Sequence, residues 1–177
     1  MKKGNVGGII IGIILLIAGF YQVFDGLGGI ISDKTPESTT APASINEFVS
    51  DRDGVEFCVT KMENLKSVGS GYYEVTTENN FVVVSLTIRN NGTEPYDVNS
   101  IRFVLMNGEL EYQDNTSAAL SLDNGMFMDT INPGLSKEYT LVYETPVTTQ
   151  EGDFKLKIKY ISFLESECVY ISLADAK

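Results

Sequence analysis

The chain is predicted to fold as an all-β antiparallel sandwich standing behind one N-terminal membrane-spanning helix. Three observations predict this: an uncharged apolar run at residues 5–24, a Thr-, Ser- and Pro-rich stretch after it, and short period-two segments from Val55 onward.

Residues 5–24 carry no charge, and their middle is almost wholly Ile, Leu, Gly and Ala. Twenty helical residues at about 1.5 Å each reach roughly 30 Å, the thickness of a bilayer's hydrocarbon core. Lipid offers no partner to an open backbone group, so such a run must be helical. Phe20 and Tyr21 fall near its outer end, where aromatic rings suit the interface. Lys2 and Lys3 precede the run and Asp25 follows it, so positive-inside bias leaves the N-terminus cytoplasmic and sends the rest outside. A cleaved secretory signal begins in a similar way. Gly19 to Phe24 show no clear small-x-small cleavage site, however, and no Cys is placed for lipid attachment. Either reading puts the domain outside. Gly8 and Gly12 form a small-xxx-small pair, a spacing that can bring two membrane helices together. The organisation expected is residues 1–24 as cytoplasmic tip and anchor, 25–44 as a flexible linker, and 45–177 as the extracytoplasmic domain. Within the linker, residues 33–44 are too poor in large apolar side chains to order themselves.

Charge and composition remove several function classes. The net charge is −11, and of the 13 cations Lys2 and Lys3 precede the run, leaving 11 against 24 acidic residues. Such a domain repels phosphate backbones, so nucleic acid is not an expected partner. Histidine is absent and there are two cysteines. Ser-His-Asp and Cys-His nucleophile systems need an imidazole, and zinc sites need imidazoles or several thiolates. Neither class fits, and no cofactor or metal is implied.

The strands follow from alternation. Phe154, Leu156, Ile158 and Tyr160 share one face while Lys155, Lys157 and Lys159 share the other, as a strand with one buried side requires. The Lys row would also discourage edge pairing if this strand lay at a sheet edge. In residues 81–89, Val82, Val84, Leu86 and Ile88 fall together and the opposite face begins apolar, which reads as a central strand. Asn90, Asn91 and Gly92 end it with residues that tolerate positive φ. Ile101, Phe103 and Leu105 alternate up to the hairpin turn Asn107-Gly108, after which residues 109–113 can return. Pro133-Gly134 suits a type II turn before a strand at 139–143. Residues 55–62 and 168–173 supply first and last strands, and no helix of three turns follows residue 44. Seven or eight short strands joined by turns point to a sandwich.

As an ordered set, four segments resemble a bacterial extracytoplasmic domain of unknown function. They are Asp53-Gly54-Val55-Glu56-Phe57, residues 81–91, Phe103-Val104-Leu105 with its turn to Glu109-Leu110-Glu111-Tyr112, and Asn132-Pro133-Gly134 leading into residues 139–146. That domain is related to the immunoprotective extracellular antigens of mycobacteria. The resemblance spans roughly residues 50–160 and implies an immunoglobulin-like sandwich on a lipoprotein or anchored surface protein. It implies no activity. The chain departs from the pattern in having an apolar run instead of a lipidated Cys, and in a tail bearing Cys168.

Site candidates are few. Cys58 and Cys168 sit in the first and last strands, each in the register opposite its apolar neighbours, so the strands could bring them together. Outside the cytoplasm an even pair invites a disulfide, and closing so long a loop would add about 4 kcal/mol; two separate thiols are the alternative. Residues 51–56 combine oxygen ligands with a Gly but lack the length of a calcium loop, so a strand-entry turn is the reading. Glu109 with Glu111, and Glu165 with Glu167, are spaced by two and so share a strand face, usually a solvated one. Asn91-Gly92-Thr93 and Asn115-Thr116-Ser117 match the glycosylation sequon, which in a bacterial setting leaves them as turn and loop residues. Residues 114–130 form a long loop with Leu120, Leu122, Met126, Phe127 and Met128, apolar side chains that either plug the sandwich end or contact a partner. The function expected is non-enzymatic: a surface module that binds or helps assemble the envelope, with an envelope protein as partner. Sensing of a small solute or cation is the alternative, and hydrolysis ranks third.

Overall fold

Alternating apolar residues do pair into strands, and the turns fall where glycine, proline and asparagine cluster. The computed structural model describes residues 42–51, 53–126, 128–149, 154–161 and 168–174, so the apolar run 5–24 and most of the linker lie outside the described residues. Among the described residues no helix is long and apolar enough to cross a membrane.

Ten strands follow in order: β1 (Val49–Ser50), β2 (Val55–Val68), β3 (Val75–Asn90), β4 (Tyr96–Asp97), β5 (Ile101–Asn107), β6 (Leu110–Gln113), β7 (Thr130–Ile131), β8 (Ser136–Thr145), β9 (Phe154–Tyr160) and β10 (Cys168–Ser172). They form two four-stranded sheets, ordered β1-β2-β3-β8 and β10-β9-β5-β6, plus the small pair β4-β7. Every strand-to-strand ladder is antiparallel. Phe57, Val84, Leu86 and Leu141 of the first sheet meet Phe103, Leu105, Leu156 and Ile158 of the second in one core. Each such side chain contributes about 1.5–3 kcal/mol on burial, an upper figure because unfolded chains already hide some of this surface. The all-β sandwich expected from alternation is therefore what forms.

The hairpin β2–β3 is longer than alternation suggested. β3 pairs with β8 only from Asn80 onward, whereas its pairing with β2 continues out to Val68 opposite Val75. The arm beyond β8 gains no continuous buried face, so Lys66-Ser67 and Thr76-Thr77-Glu78 lack a period-two signature. A break in register between Leu65 and Ser67 twists it further, and another between Val59 and Lys61 falls in the body of the hairpin. At the tip, the exposed Tyr72 and Tyr73 meet edge to face with centroids 5.8 Å apart.

Two expectations about strand ends change. β9 lies between β10 and β5, so its lysines do not guard an edge. Lys157 instead donates to Glu111 Oε1 at 2.9 Å across the outer face of the second sheet, a contact that raises the pKa of the ammonium. Asn90 and Asn91 keep negative φ. Asn90 serves through its amide: Nδ2 donates to the carbonyls of Glu94 and Ile131, both at 2.8 Å, and Oδ1 accepts from Gly92 N–H. This fully buried side chain ties the exit of β3 to β7. The φ of +76° at Gly134 supplies the turn expected at Pro133-Gly134.

Candidate functional site

The segment between β6 and β7 decides where the sandwich stays open. Leaving β6 in the second sheet, the chain crosses to the edge of the first, where Asp114 bridges Tyr143 and Asn115 N–H donates to the Val142 carbonyl. One helical turn, α1 (Thr116–Ala119), follows, capped by Asn115 Oδ1 accepting from Ala118 N–H. Ala118, Ala119 and Leu122 lie on a second apolar cluster formed by Val68, Phe81, Val83 and Val142 on the outer face of the first sheet. The chain then returns to β8, where Thr140 N–H donates to Asn124 O and Met126 N–H to Thr140 O. A side chain on Gly125 would collide with the Ala119 carbonyl, so only glycine lets this return lie against α1. The segment covers both the outer face of its sheet and the otherwise unpaired edge of β8.

A window remains between these two crossings. β6 reaches only as far as Val104, so nothing pairs with β5 on that side at Ile101 to Phe103. The result is a cleft of about 300 Å³. Leu141, which lies on β8 between the two bridged positions, joins Ile101 and Phe103 in its apolar wall. Asp114 and Thr116 border it from the first crossing, Met126 and Met128 from the second, and Asn99, Arg102 and Ile161 from the second sheet. Thr116 Oγ1 donates to Asp114 Oδ2 at 3.0 Å. Among the described residues neither Arg102 nor Asp114 enters an ion pair. Beside Leu141, Tyr143 is fully buried and its hydroxyl has no hydrogen-bond partner among the described residues. Burial first, and Asp114 second, push that phenol's pKa well up.

Below the window, Asp129 holds the exit toward β7. Lys137 Nζ donates to both its oxygens at 2.7 Å and Tyr139 O–H donates to Oδ2 at 2.7 Å, which keeps the carboxyl below its ordinary pKa. Above the window, Glu144 accepts hydrogen bonds from Thr77 Oγ1, from Asn79 Nδ2 at 3.0 Å and from Asn115 Nδ2 at 3.5 Å. These bonds depress its pKa and join the hairpin arm, β8 and the cap of α1.

The residues singled out in the long loop divide. Leu122 and Met126 pack inward, the first against the outer cluster and the second against the main core. Leu120 is 58% exposed and Met128 74% exposed, and Phe127 lies outside the described residues. Met126 and Met128 both line the cleft; Leu120 and Leu122 do not. Sequence reading missed Arg102, Asp114 and Asn99, because only the crossing topology brings them to one opening.

The cysteines do not meet. Phe57 and Val59 face the core, so Cys58 points out of the first sheet; Ile171 is buried in the core with Val169 packed against it, so Cys168, opposite Lys159, points out of the second. The whole core lies between them, and they are not bonded to each other. The expectation that paired strands would bring them face to face is corrected accordingly. Burial raises the Cys58 pKa, with the Asn46 backbone resting against the thiol. A strand-entry turn does lead into β2: Asp51 Oδ1 accepts from the N–H groups of Asp53 and Val55. Glu165 and Glu167 lie outside the described residues.

Residues 43–166 match the family described as Domain of unknown function (DUF4352). The chain belongs to this family. No curated protein matches it in sequence. Three solved structures are similar to the DUF4352 domain in fold. The yjhA protein from Bacillus subtilis has a TM-score of 0.55 at 15% identity, with 74% of this chain and 99% of that one covered. A conserved hypothetical protein from Bacillus anthracis has a TM-score of 0.54 at 18% identity, covering 72% and 94%. The secreted protein MPT63 from Mycobacterium tuberculosis has a TM-score of 0.53 at 10% identity, covering 76% and 99%. The expected likeness to a domain of unknown function therefore holds, and the likeness to a mycobacterial secreted protein holds in fold.

Proposed function

We propose that this chain is a membrane-tethered, extracytoplasmic DUF4352 module that acts by binding rather than catalysis, with the window between the two crossings as its recognition site. The observation that carries the reading is the cleft itself: an apolar wall and two thioether side chains, bordered by Asp114, which enters no ion pair among the described residues. Tethering is supported by the uncharged run 5–24 between Lys2, Lys3 and Asp25, which puts the N-terminus in the cytoplasm and the sandwich outside. That MPT63, of similar fold, is a secreted protein agrees with this placement. The non-enzymatic reading is supported by Asp114 being the one carboxylate among the described residues lining the cleft, where a glycosidase-type hydrolase needs two across it.

Crosslinking in intact cells tests the reading. Wild-type chain should capture a defined partner or solute, and the Arg102→Ala/Asp114→Asn double variant should lose it at equal abundance. Undiminished capture by the double variant would remove the window from consideration. Protease added to intact cells should cut the sandwich and spare the N-terminal tip. Among the other readings considered, recognition of a small solute is favoured by the size of the cleft, at the lower end of the range for small-molecule pockets.

A further inference from the structure

We infer that the tip of the β2–β3 hairpin docks on a lipid bilayer, with Tyr72 and Tyr73 seated at head-group level; this rests on the reading of the chain as membrane-tethered. Tyr72 is 97% exposed and Tyr73 73% exposed. Two adjacent large rings left in water forgo the burial that stabilises the rest of the fold. The turn that carries them is braced. Gly69 and Gly71 adopt φ of +82° and +59°, and Tyr73 N–H donates to the Ser70 carbonyl at 3.2 Å. A Cβ on Gly69 would stand 2.6 Å from the Tyr73 carbonyl oxygen and 2.8 Å from Ser121 Oγ. The tip thus folds onto itself and onto Ser121, whose hydroxyl is held by donating to the Ala118 carbonyl at 2.6 Å. Rings presented from a fixed backbone lose little freedom on docking.

Chemistry, charge, area and reach select a bilayer as the occupant. Tyrosine joins an apolar ring to a polar hydroxyl and so suits the boundary between acyl chains and head groups. Residues 67–73 carry no charge, and Lys66 Nζ, the cation next to them, donates to the carbonyls of Glu78 and Asn79 at 3.4 and 2.6 Å. The tip therefore offers ring surface and hydroxyls. Two tyrosines bury about 300–500 Å² together, whereas each partner in a stable protein complex buries about 800 Å². A tethered bilayer contact needs far less, because tethering makes it intramolecular. The chain outside the described residues sets the reach. Residues 25–41, at about 3.3–3.6 Å each, extend to at most about 60 Å, and a domain of this size is about 35–40 Å across. That length lets the tip turn toward the membrane holding the run 5–24.

The chain has no tryptophan, so Tyr72→Trp places a single indole at the tip. The experiment reads its fluorescence in the full chain, reconstituted in phosphatidylcholine vesicles with and without brominated acyl chains. The emission should lie to the blue of a solvated indole and be quenched by the brominated lipid. Leu135→Trp is the control: Leu135 is 50% exposed and precedes Ser136, which pairs with Arg89 at the end of β3 far from the tip. Its indole should emit as in water and stay unquenched. Adding Tyr73→Ser to Tyr72→Trp should reduce the quenching. The exposure of positions 72 and 73 predicts unchanged melting temperatures, so lost quenching is not lost folding. No quenching at position 72, or equal quenching at positions 72 and 135, overturns the docking. Flotation of the vesicles after an alkaline wash tests the tether separately. A chain that floats without quenching at position 72 keeps its tether and loses the docked tip; quenching without flotation keeps the docked tip and removes the tether. If neither occurs, both fall.

Discussion

The two outer faces of this sandwich are built on opposite plans. The outer face of the first sheet is apolar where Phe81, Val83 and Val142 lie, and α1 and Leu122 cover it. The outer face of the second sheet carries Arg102, Lys155, Lys157, Lys159 and Glu111, with the Lys157–Glu111 contact partly exposed. The covered face needs a long connecting segment, and that segment's two crossings frame the cleft. The open face needs no cover and offers no cleft. An apolar outer face is therefore part of how this molecule acquires a site.

Truncating the covered face should have the largest effect. Phe81→Ala removes a fully buried ring from beneath α1 and is expected to cost about 3–5 kcal/mol, read as a fall in the urea midpoint. A loss below about 1 kcal/mol would mean that the outer cluster is not a second core. Next is the polar tie at its rim. Glu144→Gln should cost about 1–2 kcal/mol, because Thr77, Asn79 and Asn115 lose a charged acceptor. The sign of the pH effect follows from the depressed folded pKa values of Glu144 and Asp129. The stability they add is fully present above the unfolded carboxyl value of about 4.3 and is lost as pH falls through the folded values. The wild-type melting temperature should drop steeply below about pH 4, and Glu144→Gln should flatten that drop.

On the open face, Glu111→Ala should cost about 0.5–1 kcal/mol, the upper part of the range for surface ion pairs, since the pair is only partly exposed. A larger loss would show that the two faces are less different than their burial says. The smallest signal is chemical. Cys58, buried under the Asn46 segment, should resist alkylation in native protein and react on unfolding without reductant. Failure to react in the unfolded chain would restore a disulfide and contradict the placement of the two cysteines on opposite outer faces.

The same contrast explains what the sequence made legible. β9 alternates apolar and Lys residues because one of its faces meets water, so its register could be read at sight. Phe81 to Val84 form an unbroken buried run, since both faces of the first sheet are covered; the run announced a central strand but hid which residues face which layer. The cleft was illegible for a different reason. Arg102, Asp114 and Met126 are separated along the chain and border one cleft only because residue 114 bridges Tyr143 and residue 125 bridges Thr140. No local pattern encodes that. The apolar loop was visible as an anomaly, and its residues differ in burial: Leu122 covers the outer cluster, Met128 is exposed at the opening, and Met126 packs on the core while lining the cleft.

The segment entering the domain has a mechanical consequence. Ala43 N–H donates to Tyr170 O at 3.2 Å and its carbonyl accepts from Ser172 N–H at 2.7 Å, and six residues later β1 pairs with β2 of the other sheet. The chain is thus stitched first to one layer and then to the other. Tension applied from the N-terminal side loads the Ala43 pairing on β10 before it can reach β1. Those two hydrogen bonds act as a strain relief, like the clamp on a cable, shielding the core-facing strands from a pull on residues 1–42.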